Sequence, residues 1–224
     1  MRTFFRILLI VAIGLSVYLC VDSILRPIRF EREKDIRFDA VIDRLVDIRT
    51  AQVEFKNAHG LYANNFDTLI GFVKYGRIPF VLKEGVLSDK QLEDGLTEDK
   101  AAEIVYKNRI RDIKKWGLEG FRRDTFYANV LDTIFGKNYP IDSLRYVPFS
   151  RNNDQFQLRA GDINTSSGLI VRVFEARTPY ETFMEGLDKQ EVINMRLKAE
   201  KYGKYPGLMV GNIFEANNNA GNWE

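Results

Sequence analysis

The first sixty residues carry two successive patterns of apolar and polar positions. From Phe4 to Leu25 the chain is apolar except at Arg6 and Asp22, and we call this segment the stem. A helix rises about 1.5 Å per residue, so the stem is long enough to cross about 30 Å of hydrocarbon. The favoured interpretation is a single-pass membrane anchor over residues 1–30, with both charges at the interfaces.

Three other interpretations of the stem stay open. The stretch without charge runs only from Ile7 to Val21, which is also the length of a signal-peptide core followed by a cleavage site at residues 21–23. Residues 17–20 resemble a lipoprotein box that ends at Cys20, although a bulky leucine precedes the cysteine. The stem could also be a buried helix of a soluble domain.

After Pro27 the pattern becomes that of an amphipathic helix, from Glu31 to Ala58. Its apolar residues recur mostly three or four apart, so they share one face of the helix. These residues are Ile36, Phe38, Val41, Ile42, Leu45, Ile48 and Phe55. Gly60 predicts the end of the helix, because glycine readily adopts the left-handed conformation of a C-cap.

The remaining pattern predicts an α+β fold in which residues 31–224 form one domain. We expect short helices at Asp67–Lys74 and Asp188–Lys201, and a helical insertion at about 86–136 whose last helix is Asp124–Phe135. Runs rich in β-formers, bounded by turn residues, predict an antiparallel sheet packed on the long helix. The predicted strands are Ile78–Leu82, Leu144–Phe149, Gln155–Ala160, Leu169–Ala176 and Leu208–Phe214.

Composition narrows the classes of partner and chemistry. The 33 basic and 31 acidic residues nearly balance, and no dense basic block occurs, so we expect no nucleic-acid partner. Cys20 is the only cysteine, which excludes an intrachain disulfide and a cysteine-based zinc site.

The charges around the stem point to the cytoplasm for the domain. The short N-terminal tail carries Arg2 and Arg6, whereas five basic residues follow the stem within a few turns. Because cytoplasmic flanks carry the excess of Lys and Arg, this count would place the C-terminal domain in the cytoplasm.

The order of stem, proline, long helix, Gly-x-Tyr turn, short helix and antiparallel sheet resembles type IV pilins and type II secretion pseudopilins. The helix-closing residues Phe55, Gly60 and Tyr62 carry the resemblance, followed by Phe66 and Leu69. In that family an aromatic residue, a glycine and a tyrosine close the helix onto the sheet. The resemblance covers about the first 75 residues.

The resemblance implies a non-catalytic structural subunit of a bacterial envelope system, such as a pilus or secretion apparatus. It implies a single-pass inner-membrane location with a periplasmic domain, in contrast to the charge count. Partners would be the membrane and this chain itself or other pilin-like or secretion-system subunits. The residues expected at the assembly interface are Ile36, Val41, Leu45 and Ile48, unless the sheet buries them.

The chain departs from the family at its beginning. No glycine precedes Phe4, and no acidic residue occurs before Asp22, whereas prepilins have a Gly-Phe peptidase site and a nearby glutamate. Ala63 stands where the family usually has proline. We therefore expect an unprocessed, pilin-like subunit. An anchored periplasmic binding module is the alternative function.

At the other end of the chain, residues 205–208 and 217–224 resemble the ending of envelope proteins from Bacteroidota-type bacteria.

Candidate chemistry is sparse. Calcium is the one candidate cofactor, because Asp154, Asp162 and Asn164 bracket a predicted hairpin and hard cations prefer such oxygen ligands. Ordinary turns use the same residues. An envelope hydrolase would need a carboxylate pair such as Glu175 and Glu181 in one cleft. His59 is the only histidine and stands at a helix end, where a capping role is expected.

Overall fold

The computed structural model describes residues 2–165 and 168–224 and has the predicted α+β character, with helices and small antiparallel sheets. The helices are α1 Arg2–His59, α2 Phe66–Tyr75, α3 Asp89–Glu93, α4 Glu98–Tyr106, α5 Ile110–Trp116, α6 Val130–Ile134, α7 Tyr180–Phe183 and α8 Lys189–Lys201, with a 3₁₀ helix at Ile141–Arg145. The strands are β1 Arg77–Glu84, β2 Arg122–Asn129, β3 Gln157–Asn164, β4 Ile170–Pro179 and β5 Gly207–Gly211.

The chain folds into two compact units. The first, the stem unit, combines Met1–Gly71 with Pro140–Glu224, and the second, the hairpin unit, is Phe72–Tyr139. The helical insertion that the sequence predicts at about 86–136, within one domain of residues 31–224, falls inside the hairpin unit.

Helix α1 passes through Pro27 without a break and joins the stem to the amphipathic segment. Its N-terminal part is long and apolar enough to be a candidate membrane span, and none of its most apolar stretch is buried. The interpretation of the stem as a buried helix of a soluble domain is therefore wrong, because its side chains meet no protein core.

The C-terminal part of α1 forms the core of the stem unit. Beta strands β3, β4 and β5 form an antiparallel sheet in that order, and α1 contacts β4 and β5. Val41, Leu45 and Ile48 are fully buried, and so are Phe174 and Val210 on the sheet. Burying each large apolar side chain contributes about 1.5–3 kcal/mol, so this contact provides much of the stability of the unit.

A buried glutamine holds the chain that leaves α1. The side chain of Gln52 is fully buried; its Nε2 donates to the carbonyl oxygen of Ala63 over 2.8 Å. The backbone N–H of Ala63 donates in return to Gln52 Oε1 over 2.9 Å. This two-bond clamp satisfies both polar groups of a buried backbone position, as burial requires.

The hairpin unit has its own small core. Strands β1 and β2 pair along eight residues each, with Phe80 opposite Phe126. The buried residues of this unit come from the helical segments and their connections. They include Leu87, Leu96, Ala101, Leu118 and Phe121.

Two predicted elements are wrong. Asp124–Phe135 was expected to be one helix, but β2 occupies Arg122–Asn129 and only the short α6 follows. Pairing with β1, almost forty residues earlier, overrides the local helical preference. Leu144–Phe149 was expected to be a strand, but a 3₁₀ helix at Ile141–Arg145 and one isolated bridge from Tyr146 to Gln155 occupy this region.

The substitution Gln52→Met should lower the free energy of unfolding by about 2 kcal/mol, because it keeps the side-chain volume and leaves two buried backbone groups of Ala63 unpaired. Chemical denaturation of the full chain in a neutral detergent, followed by circular dichroism, measures the change. Gln155→Met at an exposed position is the matched control and should change stability little. Equal stability of the two variants would contradict a stabilising role for the clamp.

Candidate functional site

The stem presents an apolar surface that ends in an ion pair. Ile10, Val17 and Ile24 are each more than half exposed. At the end of the stem, Arg26 Nε lies 2.5 Å from Asp22 Oδ2, one helical turn away. This pair partly neutralises both charges at the predicted boundary of the hydrocarbon, which makes their placement there less unfavourable.

Three of the four predicted assembly residues belong to the core. Val41, Leu45 and Ile48 are fully buried within their own unit, so they cannot contact another subunit while the unit is folded. We correct their assignment from interface to core. Ile36 is 48% exposed and is the one member of the set that remains accessible.

The helix-closing residues lie together at the end of α1. Gly60 has φ +73° and its N–H donates to the carbonyl oxygen of Lys56 over 2.7 Å. Phe55 is buried and stacks on His59 with ring centroids 4.3 Å apart. Tyr62 packs against Phe174 of β4, with centroids 4.9 Å apart. Glycine permits the left-handed turn, and the aromatic rings then fill the space between helix and sheet.

The C-terminal segment docks on this same end of α1. Asn219 Nδ2 donates to the Tyr62 hydroxyl over 3.0 Å, and Arg49 Nη1 lies 2.6 Å from Glu224 Oε1. Asn222 runs beside β5, where its side chain donates to Gly207 O and accepts from Met209 N. The segment thereby extends the hydrogen bonding of the sheet beyond β5.

The predicted calcium ligands do not form one cluster. Asp154 precedes β3 and accepts a hydrogen bond from the Ser150 hydroxyl over 2.6 Å. Asp162 and Asn164 lie near the other end of β3, about 17 and 23 Å along the strand from its first residue, Gln157. Among the described residues, no group of three or more His, Cys, Asp or Glu side chains could hold a metal ion. Calcium binding stays a prediction.

The two carboxylates considered for hydrolysis have separate arginine partners. Glu175 is 2% exposed, and its Oε1 lies 3.1 Å from Arg177 Nη1. Glu181 Oε1 lies 3.3 Å from Arg196 Nη1. Glu181 also lines a small groove along α8, and Glu175 is not among the residues of that groove. This arrangement does not present the two carboxylates as an acid–base pair, which would face one substrate from a shared cleft.

The hairpin unit exposes aromatic side chains on one face of β1 and β2. Phe80 and Phe126 stack across the strands with centroids 5.5 Å apart, and Leu82 lies on the same face. Phe126 is 55% exposed, and Phe80 and Leu82 are also exposed. We call these three residues the aromatic face. A contiguous exposed apolar patch of this kind is typical of protein–protein contacts.

A groove of about 710 Å³ lies between α1 and α8 just beyond the stem. We call it the lysine groove. Phe38 and Tyr180 stack with ring centroids 5.7 Å apart and contribute its apolar part. The residues that line it are Glu31, Lys34, Phe38, Tyr180, Met195, Lys198, Ala199, Tyr202 and Lys204.

Sequence reasoning missed both Gln52 and the lysine groove. A polar residue inside the apolar stripe of a long helix is a signal for a buried hydrogen-bonded group, and it could have identified Gln52. The groove had no comparable signal, because its residues come from segments about 150 positions apart that only the fold brings together.

Compared with protein-family models, curated proteins and solved structures, the chain matches none of them. We therefore infer the function from the geometry of the stem unit and of the hairpin unit.

Acidification should weaken the docking of the C-terminal segment. A hydrogen bond from Arg49 holds the pKa of Glu224 below its usual value. Since the folded pKa lies below the unfolded value of about 4.3, the pair stabilises docking above that pH and is lost as the pH falls through the folded pKa. Fluorescence of Trp223, measured in a Trp116→Phe background, should change over that range.

Glu224→Gln in the same background is the control, because it removes the titrating group at constant size. An identical fluorescence change in the control would mean that another group controls docking.

Proposed function

We propose that the protein is a membrane-anchored, non-catalytic structural subunit of a bacterial envelope assembly, similar in plan to a pilin or pseudopilin. The observation that carries this proposal is the continuity of α1. One helix provides the exposed apolar stem and, without interruption, the core of a helix-on-sheet unit. A rigid connection of this kind transmits the position of the stem in the membrane directly to the domain.

The closure of α1 supports the same proposal. Gly60 and Tyr62 turn the chain and seal the helix against β4, as the resemblance to pilins implied. Burial of Val41, Leu45 and Ile48 restricts lateral assembly to other surfaces. The exposed stem and the side of α1 around Ile36 are the surfaces of this helix that remain for subunit contacts.

We place the domain in the periplasm, with the stem in the inner membrane. The resemblance favours this side, whereas the Lys and Arg count around the stem favours the cytoplasm. Arg26 forms an ion pair with Asp22 and Lys34 forms one with Glu31, but acidic residues count little in this rule, so the periplasmic side rests on the resemblance alone.

An anchored binding module is the second candidate function. The aromatic face of the hairpin unit favours it, because a two-stranded sheet with exposed aromatic residues offers a surface for one protein partner. In that case the stem is only a tether and would not contact its own copies.

Single cysteines placed along the stem should crosslink with a helical period if stems pack laterally. Cys20 is the only cysteine and is exposed, so a scan of single cysteines from Ser16 to Val21 is straightforward in a Cys20→Ser background. Mild oxidation of native membranes should give disulfide-linked dimers most strongly at positions three or four apart, since these share one helix face.

The matched control is Asn152→Cys in the same background, at an exposed position distant in sequence from the stem. Absence of dimers along the whole scan, or equal dimer yields at every position, would favour the tethered binding module.

Asn152→Cys should also report the side of the membrane. In intact cells with Cys20→Ser, a membrane-impermeant maleimide should label this cysteine before lysis if the domain is periplasmic. Labelling only after lysis would place the domain in the cytoplasm, as the charge count indicates, and would rule out the pilin-like proposal.

A further inference from the structure

We propose that the lysine groove binds the phosphate headgroup of an anionic phospholipid from the membrane that holds the stem. The proposal rests on the membrane anchoring of the proposed function and not on assembly. Its three supports are the unpaired positive charge in the groove, the aromatic wall beside that charge and the position of the groove along α1.

The positive charge comes from two lysines at the end of α8. Lys34 is paired with Glu31 and Asp35, so its charge is already compensated. Lys198 and Lys204 are exposed and form no ion pair within residues 2–165 and 168–224. The lining residues together therefore carry an excess of two positive charges, which is complementary to a phosphate group.

The wall of the groove suits the boundary between headgroups and water. Tyr180 stacks on Phe38, and Tyr202 is 67% exposed at the rim. Tyrosine combines an apolar ring with a polar hydroxyl and is enriched at membrane interfaces. Burial raises the pKa of Tyr180, so its hydroxyl keeps the proton and can donate a hydrogen bond to a phosphate oxygen.

The groove lies close to the predicted surface of the bilayer. Glu31 and Phe38 are six and thirteen residues beyond Leu25, which corresponds to about 9 and 20 Å along the helix. The polar headgroup layer is about 5–7 Å thick on each side of the hydrocarbon. The near end of the groove is therefore within about one Debye length of the phosphates at physiological salt.

The beginning of α8 also lies near the stem. Asp188 and Glu191, at the beginning of α8, line a cavity with Leu19, Arg26 and Phe30 of α1. Phe30 is buried although it follows the exposed stem by only a few residues. Leu19 and Asp22, which also line this cavity, belong to the stem, so α8 begins beside the last turns of the stem without a flexible spacer.

The test is native mass spectrometry of the full chain in a neutral detergent with equal amounts of phosphatidylglycerol and phosphatidylcholine of the same acyl chains. The wild-type protein should retain phosphatidylglycerol preferentially. Lys198→Gln combined with Lys204→Gln should reduce that preference by about 30-fold, or about fivefold per lysine. Lys198→Arg combined with Lys204→Arg should preserve the preference, because it keeps both charges.

The matched control is Lys90→Gln combined with Lys114→Gln, which makes the same change in net charge at exposed lysines outside the groove. Equal retention of the two lipids by the wild type, or the same loss in the control, would overturn the proposal. Displacement of the lipid by excess inorganic phosphate would also overturn it and would assign the groove to a soluble phosphate compound.

Extraction of the chain from membranes, with and without detergent, should precede this measurement. It distinguishes failure of the proposed membrane anchor from failure of the lipid site. A chain released from membranes without detergent would contradict the anchor and, with it, the lipid site. A chain that needs detergent but shows no lipid preference would contradict the lipid site alone.

Discussion

The structure depends on one helix that must suit two environments. Over the stem, α1 has to be apolar all round because hydrocarbon would surround it, whereas beyond Pro27 only the face toward the sheet can be apolar. The change occurs within the single helix and without a linker. All other elements of the stem unit are placed with respect to this helix: β4 and β5 cover its apolar stripe, α8 runs beside its middle part, and the C-terminal segment closes its end.

The end of α1 shows how polar and apolar contacts combine. Gly60 allows the chain to reverse, Tyr62 fills the space against Phe174, and Gln52 pairs with both backbone groups of Ala63. Pilins, which this turn resembles, usually have proline at this position, whereas the N–H of Ala63 donates to Gln52 here. Proline has no N–H and would lose this hydrogen bond, so the alanine and the buried glutamine are physically matched.

The burial of Val41, Leu45 and Ile48 changes where subunit contacts can occur. An apolar stripe on a helix can be buried either within its own domain or against another subunit. Here the antiparallel sheet of the same unit buries it. The surfaces proposed for contacts are the stem, the lysine groove and the aromatic face of the hairpin unit. They differ in chemistry, and a different partner is proposed for each: another stem, an anionic headgroup and a protein surface.

The sequence alone determined the features that depend on near neighbours in the chain. The apolar stem, the long amphipathic helix ending at Gly60, and helix α8 beginning after Asp188 follow from residues within a few turns of each other. Only the tertiary structure decided the features that depend on distant partners. Arg122–Asn129 became a strand because β1 pairs with it, Val41 became core because β4 and β5 cover α1, and Lys198 came to line one groove with Lys34 because α8 packs on α1. Local periodicity shows which face of an element is apolar, whereas the partner that covers that face is selected by long-range packing.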